Sequence, residues 1–327
     1  MTQSKNNNMK EIFQNMKKKR LLIELPTWLG DCVMATPAIE NIIKYYNDVE
    51  ITIIGSKIST LAMKHHPKVK DIEILEKNLS DIKKIRKNRE TFDAFFSFRS
   101  SIRSHLLKLL SRSQNKYQFS KNKNDFGHQV EKYNNFVNDS LSINCKPGNL
   151  RIYKRPNSSE MKSKKPLVGI NPGAAYGSAK RWNPKGYSEI AKALAKEYEI
   201  LIFGGPNELD IAMEIENELK KSKISNYQNL AGKTDIEELI DLVSNLSLFI
   251  TGDSGPMHIA AAFQIPTVAI FGPTRDKETS QWMNTRNFIV KKNLECQPCM
   301  KRTCPLGHHH CMNLISPKDV LKALREI

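Results

Sequence analysis

The chain has 327 residues, 39% hydrophobic and 26% charged, with a formal net charge of +17; this length favours two domains, and the composition excludes a disordered chain. Residues 1–155 carry 29 Lys and Arg against 15 Asp and Glu, and residues 156–327 carry 22 against 19. Such a one-sided field suits nucleic acid, an anionic membrane surface or a phosphorylated substrate; the plainer reading is a solvated, Lys-rich surface. No apolar run approaches the roughly 18–20 residues of a membrane span. The segment "MKKKRLLIELP" is a poor signal peptide, because Glu24 and Pro26 cut its apolar part short. A cytoplasmic protein with only peripheral membrane contact is expected.

In chain order, apolar segments rich in β-branched residues alternate with helical patterns, the sequence form of βαβ units and a parallel sheet. The first half predicts strands at Leu21 to Leu25, Glu50 to Ile54, Asp71 to Leu75 and Ala94 to Ser97, with a first helix that starts near Asp31 to Ala35 and runs to about Tyr46. The Pro/Ser/Lys-rich stretch Pro147 to Pro166 is the expected seam. The second half predicts strands at Leu167 to Asn171, Glu199 to Phe203, Tyr227 to Leu230, Leu248 to Thr251 and Thr267 to Phe271. Helices fall between them at about Pro184 to Lys196, Glu208 to Lys221, Asp235 to Ser244 and Pro256 to Phe263. The fold class is therefore α/β, with doubly wound domains over 1–155 and 156–327. A cleft between the carboxyl ends of their sheets is the expected ligand site.

Four stretches at strand ends carry candidate chemistry. In "LLIELPTWLGDCVMATPA" a lone acid, Asp31, opens an apolar helix; it either complements the helix dipole or serves the reaction. "NPGAAYGSAKRWNP" is a small-residue loop followed by Lys180 and Arg181 at a helix start, a setting for a diphosphate. "LIFGGPNELD" places Glu208 where a carboxylate accepts two ribose hydroxyls or else merely complements the next helix. "TGDSGPMHIAAA" is a strand, turn and helix junction that aims N–H groups at an anion; alternatively, Asp253 or Ser254 simply caps the helix. His258 on the same helix either donates to a phosphate or sugar oxygen or is a structural histidine. Neither GxxxxGK[ST] nor GxGxxG is present, so neither a P-loop nor a standard dinucleotide site is supported.

The spacing Cys296-x2-Cys299-x4-Cys304-x6-Cys311, interleaved with His308, His309 and His310, fits either a structural zinc knot or reduced cysteines packing a lobe. Disulfides are disfavoured in a reducing compartment. No nucleic-acid recognition pattern is present.

Jointly, "ELPTWLGDCVMATPAI", "NPGAAYGSAKRW", "TGDSGPMHIAAA", "PTVAIFGPT" and "CQPCMKRTCPLGHHHCM" resemble the ADP-heptose:lipopolysaccharide heptosyltransferases of glycosyltransferase family 9, most closely the heptosyltransferase II type. The motifs run from Leu21 to Met312 in the family's order. The resemblance implies a GT-B fold of two Rossmann-like domains, with the acceptor on the first and ADP-heptose on the second. It also implies inverting transfer without an essential metal or other cofactor. By position, Lys180 resembles a phosphate-contacting lysine and Glu208 a ribose-binding glutamate. Thr234 falls near the adenine pocket, and Asp253, Ser254, Gly255 and His258 match the diphosphate and heptose turn. Asp31 matches the acid proposed as base, and Lys180 with the helix start near Ser254 would stabilise the departing ADP.

The acceptor implied is the anionic inner core of lipopolysaccharide, at the cytoplasmic face of the inner membrane; this accounts for the basic first half without nucleic acid. Heptosyltransferase I or another core glycosyltransferase is the first alternative. A non-enzymatic binder of anionic lipid or nucleic acid is the second. Domain closure is also expected, with residues 154–166 and the C-terminal helix near Pro317 to Glu326 as hinge elements.

Overall fold

Two parallel sheets organise the computed structural model, which describes residues 18–76, 90–121, 126–158, 161 and 163–327. The first contains β1 (Lys19–Glu24), β2 (Val49–Gly55), β3 (Val69–Ile74), β4 (Phe92–Ser97) and β5 (Ser113–Gln118) in the order β3-β2-β1-β4-β5. Its helices are α1 (Leu29–Tyr46), α2 (Lys57–Met63), α3 (Ile102–Leu110) and α4 (Gln129–Leu141). The second contains β6 (Leu167–Asn171), β7 (Glu199–Ile202), β8 (Tyr227–Asn229), β9 (Leu248–Gly252), β10 (Thr267–Ile270) and β11 (Asn287–Val290), ordered β11-β10-β9-β6-β7-β8. Helices α5 (Pro184–Leu194), α6 (Leu209–Lys221), α7 (Ile236–Ser244), α8 (Gly255–Ala262) and α9 (Pro317–Ala323) accompany it. In each sheet the strand order reverses beside the first strand, at β1/β4 and at β6/β9, and open α/β folds bind ligands at such switch points.

The expected strands and helices form, with ends shifted by a few residues. Two strands were not expected. β5 has the sequence SQNKYQ and, among the described residues, pairs only with β4, while β11 pairs only with β10. β5 is polar along its length, so the apolar run that marks buried parallel strands is missing there, whereas β11 carries a short one, Phe288 to Val290. Helix α1 begins at Leu29, earlier than expected, and its N-cap Trp28 makes no side-chain cap. Asp31 therefore lies within the first helical turn.

The two sheet layers meet closely. One apolar cluster runs from Leu21, Ile23 and Val33 of the first layer to Leu201, Phe203, Phe249 and Ile259 of the second. Helix α1 packs on α8 and α2 on α7. Polar ties reinforce the contact: His65 Nε2 lies 2.6 Å and Lys64 Nζ 3.2 Å from Glu237 Oε1, and Trp282 Nε1 donates to the Gly148 carbonyl at 3.0 Å.

The expected seam is not a loose tether where it is described; residues 159, 160 and 162 of it lie outside the described residues. Leu150 and Ile152 are buried, and the Arg151 N–H donates to Thr36 Oγ1 of α1 at 2.9 Å. Arg155 Nε then donates to Asp241 Oδ2 of α7 at 2.6 Å. The chain thus changes layers between Arg151 and Arg155. Helix α9, expected as a hinge element, packs on α5 and β11 instead, and the preceding Ile315 carbonyl accepts from buried Trp182 Nε1 at 3.0 Å. It stays on the second sheet.

Candidate active site

The β9–α8 junction holds the densest polar network. Its sequence requires the strand to stop at Gly252 and the helix to start with Pro256 in its first turn, where the missing N–H costs nothing. Neither acid nor serine caps the helix as the plainer reading supposed. Ser254 is the N-cap residue but makes no side-chain cap bond; its Oγ lies 3.0 Å from Thr251 Oγ1 and accepts from Asn171 Nδ2 at 3.2 Å. Asp253, buried, receives Lys180 Nζ at 2.5 Å and Thr274 Oγ1 at 2.6 Å on Oδ2. The amides that open α8 at Gly255 receive no side-chain cap from Ser254, and a helix start of this kind suits an anion.

Lys180 ends a short 3-10 turn, Ser178–Lys180, and is held from two sides. Besides Asp253, its ammonium lies 4.8 Å above the Tyr176 ring, a cation–π contact. The Cys-rich tail braces this loop, which was not legible beforehand. Tyr176 Oη donates to the Met300 carbonyl at 2.8 Å, and the Ala179 N–H donates to the Arg302 carbonyl at 3.0 Å. His309 Nε2 lies 2.7 Å from the Ala179 carbonyl. A Cβ on Gly177 would stand 2.4 Å from the Arg302 oxygen, so only glycine permits this approach. These partners are more than 100 residues apart, and no local pattern encodes them.

The tail's four thiols are unbonded to one another. Cys304 is held below the usual thiol range by the backbone N–H groups of His309, Leu306, Gly307 and His308. Burial, with the neighbouring Cys299, Cys304 and Cys296, pushes Cys311 up to about 11. Among the described residues no group of three or more His, Cys, Asp or Glu is placed to hold a metal ion.

The other expected donor residues line the same edge. Glu208 is buried, and its Oε2 accepts from the Gly205 N–H at 2.8 Å while its carboxyl faces Gly173 across the loop after β6. It complements the α6 start and stands at the carboxyl edge of the second sheet. Thr234 is half-buried between β8 and α7, and the Gly232 N–H bonded to the Gly204 carbonyl at 2.9 Å brings its loop beside that after β7. From the strand order, Thr234, Glu208, Asn171 and Asp253 follow one another along the carboxyl edge.

Asp31 reaches this edge from the other layer. Burial pushes its carboxyl above the ordinary range, the Lys121 and Lys180 ammonium groups oppose the rise, and the Asp253 carboxylate adds to it. The structure thus brings Asp31, Lys180 and Asp253 into one electrostatic neighbourhood. His258 is buried between α8 and the start of α1: a Cβ on Gly30 would lie 2.9 Å from its Cδ2. Burial lowers the imidazole to about 4, and its Nδ1 has no hydrogen-bond partner. It is neutral near pH 7, so it has one N–H rather than two to offer.

A further polar group at the β1/β4 switch point was not anticipated. Glu24 ends β1 fully buried; Ser97 Oγ donates to it at 2.6 Å, Ser104 Oγ at 2.9 Å and Arg99 Nη1 at 3.4 Å. Burial raises its carboxyl despite the Ser97 hydrogen bond and the Arg99 charge. Read as part of a strand, Glu24 gave no signal; a carboxylate at the end of an otherwise apolar parallel strand was the available one.

Comparison with known proteins places this arrangement. The profile of glycosyltransferase family 9 (heptosyltransferase) matches residues 98–310. The lipooligosaccharide heptosyltransferase 2 of Campylobacter jejuni is 39% identical over 315 residues, covering 94% of this chain and 98% of the relative. Among solved structures, ADP-heptose lps heptosyltransferase II of E. coli superposes with a TM-score of 0.79 at 22% identity, over 94% of this chain and 98% of that one. The E. coli heptosyltransferase WaaC with ADP gives 0.71 at 14%, over 94% and 99%. The two structural matches show the fold, which is of the GT-B type.

Proposed function

The chain belongs to glycosyltransferase family 9, the heptosyltransferases, and from that premise we propose that it moves heptose from ADP-L-glycero-D-manno-heptose to the heptose of a heptosyl-Kdo2-lipid A acceptor during assembly of the lipopolysaccharide or lipooligosaccharide core. Residues 1–155 hold the acceptor and residues 156–327 the donor. The observation that carries this reading is the meeting of Asp31, from the first layer, with Lys180 and Asp253, from the second.

The chemistry follows from that meeting. When the heptose–diphosphate bond breaks, ADP gains negative charge. The Lys180 ammonium and the α8 amides near Ser254 and Gly255 stabilise it, the kind of electrostatic contribution that is about 3–4 kcal/mol per donor. No metal is assigned a part in this step. On the opposite face of the sugar, Asp31 takes the proton from the attacking hydroxyl, and its raised carboxyl is suited to that role. Attack opposite the leaving group inverts the anomeric centre. Glu208 receives the ribose hydroxyls, Thr234 lies at the adenine end, and Asp253 and His258 orient the groups around the heptose and diphosphate.

Incubating the purified protein with ADP-heptose and either Kdo2-lipid A or heptosyl-Kdo2-lipid A, with mass-spectrometric detection, tests the reading. A single heptose added only to the second acceptor supports it. Addition to the first would make this a heptosyltransferase I activity. The acceptor is membrane-anchored, and among the described residues no helix is long and apolar enough to cross a membrane. Peripheral residence at the cytoplasmic face of the inner membrane is part of the proposal.

A further inference from the structure

Helix α3 turns an apolar stripe away from the other described residues. Ser104 and Leu107 are buried beneath it, whereas Ile102, Leu106 and Leu109 stand 86%, 42% and 58% exposed. Residues spaced by four and three lie on one side of a helix, so the three side chains form a single outward ridge. Isolated exposed aliphatic residues are ordinary; a contiguous ridge on a pre-formed helix marks an interaction surface.

Along the segment that carries the ridge the charge has one sign, although Arg99 is spent on buried Glu24. From Arg99 to Lys121 the chain holds six Lys and Arg and no Asp or Glu. Lys116 Nζ donates to the Leu109 carbonyl at 3.0 Å, which fixes a cation at the far end of the ridge. The near end adjoins the active site: Ser101 caps α3, and Ser104 bonds Glu24 at the β1/β4 switch point. Lys121, which closes the basic segment, lies within electrostatic reach of Asp31.

We propose that this face of α3 seats the protein on an anionic lipid bilayer, with Ile102, Leu106 and Leu109 entering the boundary between headgroups and acyl chains and the surrounding cations meeting lipid phosphates. The orientation rests on the proposed function, because a helix that begins at the acceptor side of the site brings a lipid-linked saccharide to Asp31 without leaving the membrane. Charge complementarity selects this occupant: an apolar protein partner has no use for Lys108, Lys116 and Lys121 along the same segment, and a purely electrostatic one has no use for the ridge.

The test sediments the full chain with vesicles of phosphatidylglycerol and phosphatidylethanolamine, and with vesicles of phosphatidylcholine alone. The wild type is expected to bind the anionic vesicles at least ten-fold better, less so at high salt. The triple variant Ile102→Ser, Leu106→Ser, Leu109→Ser is expected to lose at least ten-fold of that binding while keeping its melting temperature. Its turnover of a lipid-free heptosyl-Kdo acceptor stays at the wild-type level, and its turnover of acceptor embedded in vesicles falls. Equal vesicle binding by variant and wild type overturns the proposal. So does a wild-type dimer, seen by analytical ultracentrifugation, that the triple variant converts to monomer without any vesicle binding by either form, because the ridge is then an interface between copies. Absence of heptose transfer to either acceptor by the wild type would instead count against the functional reading, since vesicle binding is measured without donor or acceptor.

Discussion

The ammonium of Lys180 sits 2.5 Å from Asp253 Oδ2, joining the loop after β6 to the turn after β9 across the switch point of the second sheet. Both side chains are largely buried, at 13% and 6% exposure, so neither is satisfied by water alone. Lys180→Ala should weaken ADP binding about ten- to hundred-fold, from the loss of one charge-assisted contact. It should also lower stability by about 3–5 kcal/mol, because it strands a buried carboxylate. Adding Asp253→Asn should restore much of the stability and none of the ADP affinity. Calorimetry and thermal melts separate the two; unchanged ADP affinity in Lys180→Ala would remove Lys180 from the donor site.

Tyr176 holds Lys180 in place. Its ring faces the ammonium and its hydroxyl ties the loop to the Met300 carbonyl. Tyr176→Phe keeps the ring and should change the Kd for ADP by less than about three-fold. Tyr176→Ala loses a contact of roughly 0.5–2 kcal/mol and should weaken ADP more, with rescue by Phe as the signature of positioning. Equal losses in the two variants would show that the tether, not the ring, matters.

The pH dependence of turnover should carry the mark of Asp31. A base must be ionised, so kcat/KM should fall as the pH drops through a carboxyl value raised above the ordinary range of about 3.9. Lys121 favours the ionised form. Lys121→Met should therefore move this acid limb to higher pH. A limb that stays in place would mean that another group titrates.

His258 gives an independent pH effect on stability. Its folded-state value of about 4 lies below the ordinary 6.5, so as the pH falls from about 6.5 to about 4 the unfolded chain takes up a proton that the folded chain does not. Stability present above this window is lost across it, up to about 3 kcal/mol. His258→Gln should show a flatter stability profile in denaturant titrations between pH 7 and 4. An identical slope in both proteins would mean that the imidazole is not desolvated in solution.

Much of the fold was legible because buried parallel strands and their helices write themselves as local patterns: Leu167–Asn171 was read to the residue. Strand β5 escaped because SQNKYQ carries no apolar run, while the short run Phe288 to Val290 of β11 was a local signal like the others. Asp31, Lys180, Glu208 and Asp253 were readable as polar residues at strand ends, where the fold places ligands. Their partners were not. The Thr274 bond to Asp253, the tail's hold on Ala179 and Tyr176, and the Glu24 cluster are contacts between distant segments, set by strand order rather than by any window of sequence. The assignment of Ser254 likewise needed coordinates, since a serine before a helix reads as a cap whether or not its hydroxyl turns back toward Thr251.

The most direct measurement of whether the two layers share one active site is heptose transfer to heptosyl-Kdo2-lipid A by the wild type and by Asp31→Asn, with ADP affinity determined on the same preparations. Loss of the base should reduce kcat by about 10²–10⁴-fold and leave the Kd for ADP within two- to three-fold of wild type, roughly the scatter of a modest surface change. Near-normal turnover by Asp31→Asn would contradict the account.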